Sequence, residues 1–88
     1  MQFEWDESKN LANVEKHGVS FEEAVYAFLD PDRKIRFNPK HSQEEKRYFC
    51  FGKVGKLVLT VRFTVRGETI RIIGAGYWRE GRKVYEQD

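Results

Sequence analysis

Apolar residues recur at helical spacing up to residue 32 of this chain and at every second residue beyond it. Phe3-Glu4-Trp5 alternates apolar and acidic, which predicts a short strand. Asp6 offers an N-cap, and residues 6–17 predict a helix with Leu11, Val14 and Ala12 turned inward. Lys16-His17-Gly18 ends it, with basic residues at the negative helix terminus and then a glycine suited to the left-handed conformation. Ser20-Phe21-Glu22-Glu23 is a capping box and opens a second helix whose Phe21, Ala24, Val25 and Phe28 share one face. Asp30-Pro31-Asp32 stops that helix.

Strands are expected over 33–37 and 46–53, with a loop at 38–43 broken by Pro39 and a hairpin tip at Val54-Gly55. Residues 57–66 alternate most clearly. Leu57, Leu59, Val61, Phe63 and Val65 fall on one face, and Val58, Thr60, Arg62, Thr64 and Arg66 on the other. Gly67 turns the chain into a strand over 69–75, in which Arg71 alternates with Ile73. Residues 77–87 predict a short C-terminal helix, weakened by Gly81. The order β-α-α-β-β-β-β-α predicts an α+β fold. Its sheet is expected to be antiparallel, with the two N-terminal helices on one face and a short C-terminal helix. At 88 residues the chain reads as one domain, residues 1–88.

Charge divides at the same place as periodicity. Residues 1–32 hold two lysines against eight acids, net −6. Residues 33–88 hold fourteen bases against six acids, net +8, so the overall +2 hides a strong asymmetry. A basic, strand-rich segment threaded with aromatics fits a surface that meets a polyanion, most simply RNA. A lone cysteine, Cys50, fits a reducing compartment, and there is neither a signal-peptide core nor a membrane-span candidate. The chain therefore reads as cytoplasmic, with no membrane partner.

Two histidines and one cysteine make no metal-ligand pattern, and no phosphate-loop or dinucleotide fingerprint is present. No metal or other cofactor is expected. The arginines are the stronger signal, because guanidinium forks match phosphate oxygens. Arg47, Arg62, Arg66, Arg71, Arg79 and Arg82, with Lys83, lie on or beside the C-terminal strands, where they either contact phosphate or simply keep a face solvated. Arg71, beside Ile73, is also a candidate for a partly buried structural role. Tyr77, Trp78 and Tyr85 offer rings for an unpaired base, against the plainer alternative of core packing. His41, Glu45 and Tyr85 are the residues able to move protons. His41 has an ordinary pKa near neutrality, and tyrosine is a poor base unless shifted.

Several of these segments form a recognisable series. It comprises Phe3-Glu4-Trp5-Asp6, Lys9, Asn13, the run Lys16-His17-Gly18-Val19-Ser20-Phe21-Glu22-Glu23-Ala24, Asp30-Pro31, His41-Ser42, Glu45-x-Arg47 and Gly67-x-x-x-Arg71-Ile72-Ile73. In order and spacing the series resembles the BrnT family of toxins from bacterial type II toxin–antitoxin pairs. The resemblance implies a RelE-like fold, ribonuclease activity that blocks translation, and neutralisation by a BrnA-like antitoxin in a hetero-oligomer. Operator DNA would be reached only through that antitoxin. The chain departs from the family pattern where many members continue the last strand as Ile-Ser-Ala-Arg. Here the stretch is Ile73-Gly74-Ala75-Gly76, and Phe63 stands where a histidine is common.

The function expected is therefore metal-free cleavage of RNA. Arg71 and Arg79 would supply charge at the reacting phosphate, with His41, Glu45 or Tyr85 moving protons. Arg47, Arg62, Arg66, Tyr77, Arg82 and Lys83 would hold the strand. The alternative is a toxin-like module, catalytically weak or inactive, that binds antitoxin or RNA.

Overall fold

Capping residues fix where each N-terminal element begins in the computed structural model, which describes residues 1–41 and 44–87 and leaves out the side chain of His41. After β1 (Gln2–Glu4), the Asp6 carboxylate accepts the amides of Ser8 and Lys9 and starts α1 (Glu7–His17). Gly18 closes that helix at φ 71°, in the left-handed region. Ser20 and Glu23 complete the capping box of α2 (Phe21–Ala24). This helix lasts one turn and tightens into a 3-10 helix over Val25–Leu29. The strands β2 (Lys34–Asn38), β3 (Arg47–Val54), β4 (Leu57–Arg66) and β5 (Thr69–Gly76) follow, and α3 (Arg79–Glu86) ends the chain. A 3-10 turn, Pro39–His41, lies between β2 and β3.

The five strands stand in the order β1-β5-β4-β3-β2. From β2 to β5 they form an antiparallel meander, but β1 runs parallel to β5, so the sheet is mixed rather than antiparallel. Close turns dictate antiparallel pairing only for strands that follow one another. β1 reaches β5 from the far end of the chain, and no such turn sets its direction.

One sheet face carries the core. Phe21, Ala24, Ala27 and Phe28 pack onto Cys50, Leu59, Val61, Phe63, Ile72 and Ala75. The Phe28 and Phe63 rings meet edge to face at 5.0 Å. Burying aliphatic and aromatic side chains of this size contributes roughly 1.5–3 kcal/mol each.

The buried face of α1 differs from the periodicity-based expectation. Leu11 is 64% exposed and Val14 43%, and Ala12 is exposed as well, whereas Asn10 and Asn13 are buried. The inner face of the helix meets the backbone of Val19, Phe21 and Ala75, so it must satisfy amides and carbonyls. Asn13 Nδ2 donates to the carbonyls of Val19 and Ala75, and its Oδ1 accepts the Ala75 amide. Asn10 Oδ1 accepts the Phe21 amide at 2.7 Å, and its Nδ2 donates to Glu7 and Glu22.

Helix α3 covers part of the opposite face. Gly81 makes this possible, because a Cβ there would strike Thr60 Oγ1 and come within 3.0 Å of the Phe51 ring. The residue that weakens the helix by propensity is the one that lets it lie on the sheet. Tyr85 donates to Asp30 Oδ2 at 2.6 Å, and Lys34 Nζ donates to the Val84 carbonyl, so the far end of α3 is tied down as well.

Candidate functional site

The part of that face left uncovered by α3 is built in rows. In a sheet, residues paired across strands present their side chains on the same side. Arg36 pairs with Phe49, Phe49 with Arg62 and Arg62 with Gly74, which places one aromatic ring between two arginines. Next comes the row Asn38, Arg47, Thr64, Arg71 and Glu4, and beyond it Arg66, Thr69 and Gln2. Toward α3 lies the row Lys34, Phe51, Thr60 and Gly76.

A β-bulge sets the β5 side of this pattern. The register shifts between Arg62 and Phe63: Phe63 faces Ile72, but Arg62 faces Gly74, which leaves Ile73 as the extra residue. Ile73 therefore does not continue the alternation begun by Arg71. The bulge instead turns Gly74 and Gly76 onto the arginine face and Ala75 into the core.

Gly74 leaves room for an arginine. A Cβ at this position would collide with the guanidinium of Arg62, with Cζ and Nε both at 2.8 Å. The guanidinium carbon of Arg62 also lies 6.0 Å from the centre of the Trp78 ring, in cation–π range. Its Nε is buried and has no hydrogen-bond partner. The cation is thus held by shape and by an aromatic face, and no carboxylate is paired with it among the described residues.

Arg66 and Arg71 are arranged differently. Arg71 Nη1 donates to Glu4 Oε2 at 3.0 Å. Arg66 spans Glu45, at 3.3 Å, and Glu4, at 3.7 Å. The hydrogen bond from Arg66, with the charges of Arg66, Arg47 and Arg71, holds the Glu45 carboxyl below its ordinary value. Glu45 is thus an ionised carboxylate within an arginine cluster.

Beside the Arg36–Phe49–Arg62 row, between the sheet and α3, opens a hollow of about 740 Å³. Phe49, Phe51 and Trp78 form apolar walls, Gly81 and Val84 come from α3, and Arg36 and Arg79 stand at the rim. A smaller hollow of about 280 Å³ lies on the other side of Trp78 and Arg79, against Tyr77, Arg82, Leu57 and Val58.

The residues singled out in the sequence separate on these coordinates. Arg47, Arg62, Arg66, Arg71 and Glu45 come together on or beside the open face, and Arg79 adjoins both hollows. Tyr77 and Arg82 belong to the smaller hollow, and Lys83 is exposed on α3. Tyr85 is bonded to Asp30, and that bond pushes its hydroxyl up to about 12. Burial alone would raise the Asp30 carboxyl. Bonds from Tyr85 and from the amides of Lys53 and Asp32 outweigh it and hold that carboxyl low. The His41 side chain lies outside the described residues. Arg36, Phe49, Phe51 and Glu4 were not anticipated. The alternations Lys34-x-Arg36-x-Asn38 and Arg47-x-Phe49-x-Phe51 carry the signal that would have found the first three.

Among the described residues, no group of three or more His, Cys, Asp or Glu side chains is arranged to hold a metal ion. No helix among them is long and apolar enough to cross a membrane. A search of curated proteins finds no match. The family profile described as "Ribonuclease toxin, BrnT, of type II toxin-antitoxin system" matches residues 5–81, from the residue after β1 to the first turn of α3. On that match, this chain belongs to the BrnT family of ribonuclease toxins of type II toxin–antitoxin systems.

Proposed function

We propose that this protein cuts single-stranded RNA without a metal ion, and that it does so on the open face between α3 and the Glu4–Glu45 cluster. The observation that carries the proposal is Arg62, a guanidinium seated by Gly74 and Trp78 and without a carboxylate partner among the described residues. A preorganised cation of this kind favours the charge that grows on a phosphate under attack. The ribose 2′-oxygen attacks the neighbouring phosphorus, and its proton passes to the Glu45 carboxylate. The bond from phosphorus to the 5′-oxygen breaks, and that oxygen takes up a proton from water. The products are a 2′,3′-cyclic phosphate and a 5′-hydroxyl. Arg62, Arg71 and Arg79 stabilise the phosphate, and Arg47 and Arg66 guide the strand. Tyr85 serves to anchor α3, because its hydroxyl is engaged by Asp30 and is far too weak an acid to act near neutrality.

The same proposal takes the fold as RelE-like and the effect as inhibition of translation. A type II family implies an antitoxin protein. We take it to be of the BrnA type and to cover the arginine face, with carboxylates placed where phosphates would lie and an apolar segment supplying most of the affinity. One observation favours a second reading, a module that binds without cutting: Arg66 and Arg71 are already paired with Glu45 and Glu4.

Incubating the purified protein with RNA in excess EDTA separates these readings. Fragments ending in cyclic phosphate, lost in Arg62→Ala and strongly reduced in Glu45→Gln, are the expected result. Cleavage that stops with EDTA and returns with Mg²⁺ would overturn the metal-free chemistry. Binding without cleavage of any RNA, with or without ribosomes, would leave the second reading.

A further inference from the structure

We infer that the 740 Å³ hollow beside α3 is a subsite for one unpaired nucleobase of the bound RNA, held by stacking whichever base it is. The inference rests on the ribonuclease proposal and extends it. The hollow is apolar at its walls and cationic at its rim, a combination suited to a flat aromatic group attached to a phosphate. Phe49 and Phe51 lie with nearly parallel rings, centroids 5.7 Å apart at 26°, and form a continuous aromatic wall on the sheet. Trp78 lines the same hollow from the start of α3. Every base has a π-face, and stacking on such rings is a general way to hold single-stranded RNA.

Cross-strand geometry joins this wall to the phosphate site. Phe49 is the partner of Arg36 on one side and of Arg62 on the other, so a base on Phe49 has a guanidinium within one strand spacing in either direction. Trp78 performs both tasks, lining the hollow and facing the Arg62 cation. A phosphate at Arg62 therefore places its own nucleotide beside the aromatic wall. Among the described residues Glu80 is the only acid on the lining, and the arginines Arg36 and Arg79 that line it favour a polyanion over an apolar segment of another protein.

The test uses 2′-O-methyl oligonucleotides of about five residues, near the lower end of single-strand site sizes, which cannot be cut through a 2′-oxygen. Binding of a base-bearing chain is compared with binding of the same chain with every base removed. The wild type should prefer the base-bearing chain about tenfold, and 2-aminopurine in that chain should lose fluorescence on binding. Phe49→Ser should abolish the preference and leave the affinity for the abasic chain unchanged. Phe49→Tyr, which keeps the ring, should retain the preference and show that the effect is not one of folding. Equal binding of the two chains by the wild type, in a protein that still cuts RNA, would overturn the subsite alone. A protein that neither binds nor cuts any RNA would overturn the ribonuclease proposal and the subsite with it. A Phe49→Ser variant that keeps the base preference but loses its antitoxin complex would assign the hollow to a protein partner instead.

Discussion

The guanidinium of Arg62 fills the space that a side chain on Gly74 would need. The two residues face each other across β4 and β5 only because of the bulge at Ile73. Gly74→Ala should therefore behave as a mutation of Arg62. The guanidinium must leave Trp78, and RNA cleavage should fall by about 10²-fold, in the range seen when one preorganised donor is removed. Thermal melting should change little, since the methyl group meets the movable end of a side chain. Unchanged cleavage in Gly74→Ala would show that the seat of Arg62 is unrelated to catalysis. Arg62→Lys should not restore activity, because an ammonium lacks the planar fork.

Asn13 joins α1 to Ala75 of β5 through two buried hydrogen bonds and to the Val19 carbonyl through a third. Asn13→Leu keeps the bulk but strands the Val19 carbonyl and both polar groups of Ala75. A loss of about 2–4 kcal/mol is expected. For a chain of this length that corresponds to roughly 10–25 °C in Tm. A melting point within a few degrees of the wild type would mean that α1 is held by something else.

Helix propensity alone predicts that Gly81→Ala stabilises the protein by about 1 kcal/mol. The contact with Thr60 and Phe51 predicts the opposite sign. The methyl group would lift α3 from the sheet and open the hollow, so both stability and RNA cleavage should fall. Gly81→Ala with Thr60→Ala should recover part of the stability, and a double-mutant cycle measures how much.

Tyr85 and Asp30 give a dependence on pH at both ends of the scale. The Asp30 carboxyl is held low in the folded state, so its contribution is present above the ordinary carboxylate range and is lost as pH falls through the folded value. The Tyr85 hydroxyl is raised to about 12, so its contribution is complete below roughly 10 and is lost as pH climbs toward 12. Tyr85→Phe should cost about 1–2 kcal/mol at neutral pH and should flatten the alkaline loss. Cleavage by this variant should persist. Its disappearance in a folded Tyr85→Phe would return the hydroxyl to the chemistry.

Most of the scaffold was legible because its signals are local. Asp6, Gly18, the Ser20–Glu23 box and the alternation of 57–66 each depend on a few adjacent residues, and each lies where that alternation or capping chemistry puts it. The inner face of α1 was not legible, since Leu11 and Val14 satisfy a helical period that the structure does not use. Only contact with the Ala75 backbone explains why two asparagines are buried instead. The site was partly legible for a similar reason. Arginines announce themselves by charge, but which face Phe49 and Phe51 occupy follows only from the strand register and from α3 packing beside them. The bulge at Ile73 has no clear local signature, and it decides where Gly74 points.

The N-terminal helices and the acidic Asp6, Glu22 and Glu23 around them pack on one side of the sheet, and the arginine rows, with Glu4 among them, lie on the other, so much of the charge split between residues 1–32 and 33–88 becomes a separation in space. The molecule is in effect an electric dipole oriented across its own sheet. In the field of a polyanion such an object feels a torque before it makes contact, and it turns its arginine side forward while the helix side is repelled. Encounter is thereby biased toward the productive orientation. This advantage is kinetic: it lies in the association rate and fades as salt shortens the reach of the field.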